Sequence, residues 1–195
     1  MTQLIEALSY PFVQRAIAAG VMISLCAALL GVILVLKQYS LIGHGLGDVG
    51  FASTSLAVAL GLPVMAVSIP IVVVAACLIM FWSQRSKTGG DTAIGMVATG
   101  ALSIGVIITA MSSGFNVDVN GYMFGSILAM SRDDVVFSVV LSIVILVLFI
   151  LFYNRLFLIT FDENFAKASR INVGFYQFLI ALLTALTVVL GMSMM

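Results

Sequence analysis

Charge is scarce in this sequence. Eight Lys/Arg and eight Asp/Glu are spread over 195 residues, and the formal net charge is zero. A soluble domain carries about a quarter of its residues as charged side chains; here the share is 8%, which excludes an ordinary soluble domain. The zero balance leaves no basic surface for nucleic acid. Cysteine is as sparse. Cys26 and Cys77 lie inside apolar stretches, form no C-x-x-C pair, fit no zinc-finger spacing and read as small buried residues. No G-x-x-x-x-G-K-[ST] is present: Lys87-Thr88 look like its tail, but Phe81 and Ser86 stand where the glycines belong. The chain therefore has no P-loop for ATP, and ATP-driven work requires a separate subunit. No short apolar core followed by an A-x-A-like site is evident at the N-terminus, so no cleavable signal peptide is expected.

What the chain has is apolar sequence. Hydrophobic residues make up 63%, and the mean hydropathy is +1.26. Crossing a bilayer takes about 20 apolar residues. The pattern predicts an all-α polytopic membrane protein with about six spans, near residues 12–36, 41–61, 64–82, 92–112, 135–153 and 173–195. Residues 1–195 form one permease-like unit on this reading. The second span is rich in Gly, Ala, Ser and Thr. Pro70 falls in the first turns of the third, where a missing N–H is easier to tolerate. Residues 122–130 are too short to span and read as an interfacial or re-entrant helix, with Tyr122 at headgroup level. The polar segment 154–172 reads as a loop carrying a short helix.

Positive charge sets the orientation. Arg15 and Arg132 fall on one side of the membrane, and Lys37, Arg85, Lys87, Arg155, Lys167 and Arg170 on the other. Basic loops stay in the cytoplasm. The split predicts an inner-membrane protein with an external N-terminus and cytoplasmic loops at 83–91 and 154–172. It also places the start of the second span on the cytoplasmic side.

That start holds His44, the single histidine, and Asp48 four residues on. Positions i and i+4 share a helix face, so an imidazole and a carboxylate together offer a cation two ligands. A carboxylate in hydrocarbon costs at least ~2.5–3.5 kcal/mol, which makes it a functional-site hypothesis by default. The plainer reading is a local pair near the interface. Asp91, at the start of the fourth span, reads as a cap. Gly43, Gly47, Gly50 and Thr54 form a small-residue stripe suited to helix packing, leaving His44, Asp48 and Ser55 as a polar line. In the second polar segment, Asp162 suits an N-cap and Glu163 a first turn. Phe165 and Ala166 follow, and a short helix with an exposed aromatic fits a partner's groove. On the residues alone, a solvated amphipathic loop helix is the simpler reading.

Several stretches, in order, resemble one family: the membrane permeases of zinc- and manganese-type ABC importers (the ABC-3 type). The lead Glu6-Ala7-Leu8-Ser9-Tyr10-Pro11-Phe12-Val13-Gln14-Arg15-Ala16, Val35-Leu36-Lys37-Gln38-Tyr39-Ser40, Tyr122-Met123-Phe124-Gly125-Ser126-Ile127-Leu128, and Ile159-Thr160-Phe161-Asp162-Glu163-Asn164-Phe165-Ala166-Lys167-Ala168 carry the likeness. The resemblance implies a permease subunit that performs no covalent chemistry and binds no cofactor of its own. ATP would be bound by a partner ABC ATPase docking on Asp162, Glu163, Phe165 and Ala166. An extracytoplasmic metal-binding protein would deliver a divalent ion, zinc, manganese or iron, to a path formed by a homodimer in the lipid bilayer. The chain departs from the family pattern in three ways. The family has Gly-Asp-x-Leu-x-His near the second span, whereas here His44 precedes Asp48. Arg170 stands where a glycine is usual. The family chains run on for two or more spans, so the last span here is expected to be poorly stabilised. The rival readings are a passive cation channel and a proton-coupled metal carrier, both of which predict flux without an ATPase.

Overall fold

The computed structural model describes residues 11–85, 90–113 and 132–194. Among them lie seven helices and no strand: α1 (Pro11–Leu36), α2 (Ile42–Leu60), α3 (Val64–Arg85), α4 (Gly90–Ser113), α5 (Arg132–Phe161), α6 (Glu163–Ala168) and α7 (Val173–Met194). The all-α expectation holds. The interfacial helix expected at 122–130 lies outside the described residues.

Five helices are long and apolar enough to cross a membrane: α1, α3, α4, α5 and α7. Counted by apolar length among the described residues, this is one below the expected six. Helix α2 falls short because its Gly, Ser and Thr, together with His44 and Asp48, dilute its apolar content. Such a helix needs shielding, and it has it: α3, α4 and α7 pack against α2, and ten of its nineteen residues are buried. It ends at Gly61, whose φ of +66° suits glycine, with the N–H groups of Gly61 and Leu62 returning to the carbonyls of Val58 and Ala57. Pro63 then bars continuation of the helix.

Helix α7 is the centre of the bundle. It packs against α1, α2, α3, α5 and α6. In its most apolar window 67% of residues are buried, against 22–28% for the other four candidate spans. This span, expected to be poorly stabilised without further spans, is nonetheless the most buried of the five. Ile180, Leu183 and Ala185 are fully enclosed, and burying a Leu or Ile side chain contributes roughly 1.5–3 kcal/mol.

Helix α5 has 30 residues, about 45 Å at 1.5 Å per residue, longer than a hydrocarbon core of about 30 Å. It carries on through 154–161, which the sequence suggested was loop. The reason lies in its periodicity: Leu156 and Ile159 are buried in the bundle, so the helical stripe outlasts the apolar run.

Candidate functional site

The site helix α2 is held against α4 along its length. At its start, the Leu41 N–H donates to Asp91 Oδ1 at 3.2 Å. Asp91 thus caps as expected, but it caps the start of the neighbouring helix. Gly90, beside it, makes room for the Tyr39 ring, which a Cβ there would meet at 2.7 Å. Further along, a Cβ on Gly45 would strike Ile94 and one on Gly105 would strike Phe51 and Ala52, so glycine on each helix permits close approach. At the far end, Thr109 Oγ1 donates to Ser55 Oγ at 2.9 Å. The packing glycine is therefore Gly45. Gly43 and Gly47, expected to pack, have open space where a Cβ would be. Gly50 faces Met192 of α7, and Ser55 belongs to the seam with α4.

His44 and Asp48 lie one turn apart on α2, with Nε2 3.9 Å from Oδ2. The two are unlike: the His44 side chain is 81% exposed and that of Asp48 is 8% exposed. Two metal–ligand bonds of about 2.1 Å span at most ~4.2 Å, so this separation lets one ion touch both atoms. Among the described residues no group of three or more His, Cys, Asp or Glu gathers to hold a metal ion. A single chain offers two donors, fewer than the four that zinc usually takes or the six that manganese prefers.

The other four candidate residues lie on and beside α6. Asp162 is extended, with φ −145° and ψ 97°, and its Oδ1 accepts the Phe165 N–H at 2.9 Å, the expected N-cap. Phe165 is 57% exposed, whereas Ala166 is fully buried, so the two point opposite ways. Of that pair only Phe165 presents an exposed surface; a small residue at 166 lets α6 lie close on the bundle. Glu163 lies along the helix, its Oε1 2.7 Å from Lys167 Nζ.

The end of α6 carries Arg170, which stands where a glycine is usual. The Arg170 N–H donates to Lys167 O and the Ile171 N–H to Ala166 O, with Arg170 at φ +57°. This pairing closes a helix through a left-handed residue, a position that favours glycine. The glycine missing at 170 was the available signal. The same closure ends α1, where Gln38 has φ +60° and the N–H groups of Gln38 and Tyr39 reach Val35 O and Leu34 O.

Comparison with known proteins places this architecture. The manganese transport system membrane protein MntC of Halalkalibacterium halodurans is 29% identical over 188 residues, 96% of this chain and 64% of that one. The high-affinity zinc uptake system membrane protein ZnuB of Haemophilus influenzae is 30% identical over 184 residues, 91% of this chain and 68% of that one. Among solved structures, PsaBC from Streptococcus pneumoniae in complex with Fab superposes with a TM-score of 0.81 at 27% identity, covering 98% of this chain and 69% of that one. The chain spans about two thirds of the length of the curated relatives it matches, 64% and 65% for MntC of H. halodurans and of Listeria monocytogenes. The model of the ABC 3 transport family matches residues 9–195, and the chain belongs to that family.

Proposed function

We propose that this chain is the membrane permease subunit of an ATP-driven importer of divalent metal ions, manganese, zinc or iron. The observation that carries the reading is the family match over residues 9–195. Relatives whose names record manganese and zinc transport support the cargo class. Two copies enclose the path, since a second His44–Asp48 pair across a two-fold axis brings the donors to four. The chain sits in the cytoplasmic membrane with its N-terminus outside, following the distribution of Lys and Arg. Two ABC ATPase subunits dock at α6 through Phe165, and an extracytoplasmic metal-binding protein delivers the ion. In this reading His44 and Asp48 exchange ligands with the passing ion, and exposed His44 meets it before or after buried Asp48.

The test is manganese or zinc uptake in cells lacking their own importer, with the chain supplied alone, with its ATPase, or with both ATPase and binding protein. Uptake only when the ATPase is present is the expected result. Equal flux from the chain alone in liposomes would establish a channel or a proton-coupled carrier instead.

A further inference from the structure

The Glu163 carboxylate divides its two oxygens. Oε1 pairs with Lys167 on its own helix, while Oε2 accepts from Gln177 Nε2 of α7 at 3.4 Å. Gln177 is buried, and the cleft it lines with Val73, Cys77 and Phe178 is almost wholly apolar. A buried amide needs a partner, and a carboxylate is a strong acceptor. Lys37 follows the last residue of α1. Its ammonium is half-buried; burial lowers its pKa from the ordinary lysine value, and the Glu163 charge pulls it back up. One residue before Gln177, Tyr176 accepts a hydrogen bond from Arg155 Nη1 of α5 at 2.5 Å, and its ring meets Phe152 edge-on. The first turn of α7 is thus gripped by α5 and by α6 at adjacent residues, and α7 is the helix that touches most of the bundle.

We propose that Glu163 is a positioning residue whose inward carboxylate oxygen ties α6 to α7 through Gln177. The inference rests on the reading of α6 as the coupling helix. It changes the part Glu163 plays there: Phe165 meets the partner, and Glu163 passes the displacement of α6 to α7, which lies along α2 and its His44–Asp48 pair. A simpler role for a first-turn acid, to favour the helix dipole and pair with Lys167, would not need Gln177.

Amide hydrogen exchange on the full chain in detergent separates the two roles without any partner subunit. In Glu163→Ala and in Gln177→Leu, the amides of residues 165–171 should exchange at least about tenfold faster, the signature of a local opening made easier. Lys167→Ala, which removes only the partner on the same helix, should stay within about twofold of the parent chain. Glu163→Lys alone should accelerate exchange. Adding Gln177→Glu should bring the rate back, because a carboxylate at 177 can accept from the new ammonium. The proposal is overturned if Lys167→Ala matches Glu163→Ala, if Gln177→Leu changes nothing, or if the second change fails to restore the rate. In the assembled transporter, Glu163→Ala should keep the ATPase bound while moving less metal per ATP hydrolysed. Failure of the parent chain to recover any ATPase would sink the docking reading and leave the exchange result standing.

Discussion

The start of α2 and the short helix α6 lie at the same end of the bundle, yet they are finished to different degrees. Helix α6 is complete within one chain: Asp162 caps its start, the Arg170 and Ile171 amides close its end, Ala166 seats it, and Phe165 is left outward. The His44–Asp48 pair is sparser, with one donor exposed, one buried and no third ligand group beside them among the described residues. The proposed function accounts for the difference: a docking element gains from being formed before its partner arrives, because less ordering is left for the binding step, and a transfer site gains from being incomplete, because a full ligand set would hold the ion.

The largest expected effect breaks the incomplete region. His44→Ala and Asp48→Ala should each reduce metal uptake to background while leaving ATPase co-purification unchanged. The exchange of both, His44→Asp with Asp48→His, should keep uptake. Normal uptake by both alanine variants would make the pair structural. Next comes the finished region. Phe165→Ala should weaken ATPase binding by about 2 kcal/mol, near 30-fold, as loss of an exposed aromatic anchor does, with no change in the unfolding temperature of the chain itself. Unchanged ATPase recovery would reassign the contact.

A smaller effect tests the seam that holds α2. In Gly105→Ala the new methyl meets Phe51 and the Ala52 backbone at 2.8–2.9 Å, which should lower stability in detergent by ~1–3 kcal/mol. Gly47→Ala, with open space around it, is the control and should be near neutral. The smallest effect has the opposite sign. Arg170→Gly relieves a left-handed residue and should raise stability by up to about 1 kcal/mol. A loss of stability there would mean that the Arg170 side chain contributes more than its backbone costs.

Much of this was readable in the residues. Apolar length located the five spanning helices, and the spacing of Asp162 and Phe165 located the cap. The rest was hidden for physical reasons. Hydropathy averages over a window, so it could not tell that α2 is sheltered by other helices, or that α5 outlives its apolar run through Leu156 and Ile159. A small-residue stripe names a face but not its neighbour, so Gly45 was passed over for Gly43 and Gly47. Asp91 and Leu41 are fifty residues apart and Glu163 and Gln177 fourteen; pairings across helices leave no local trace. The left-handed turn was the exception, since the absence of the usual glycine at 170 flagged it.

The burial of α7 also bears on how the protein is made. Among the described helices it is the last to be synthesised, and it supplies the surface on which α1, α2, α3 and α5 converge. Until α7 enters the bilayer, those helices have partners for only part of their faces. The polar helix α2 meanwhile has α3 and α4 beside it but not the Met192 side chain that later covers Gly50. Pairing α1 with α7 closes a loop of well over a hundred residues, a slow step by its topology. Insertion of this late helix gives the others their shared surface and brings Gln177 into register with Glu163.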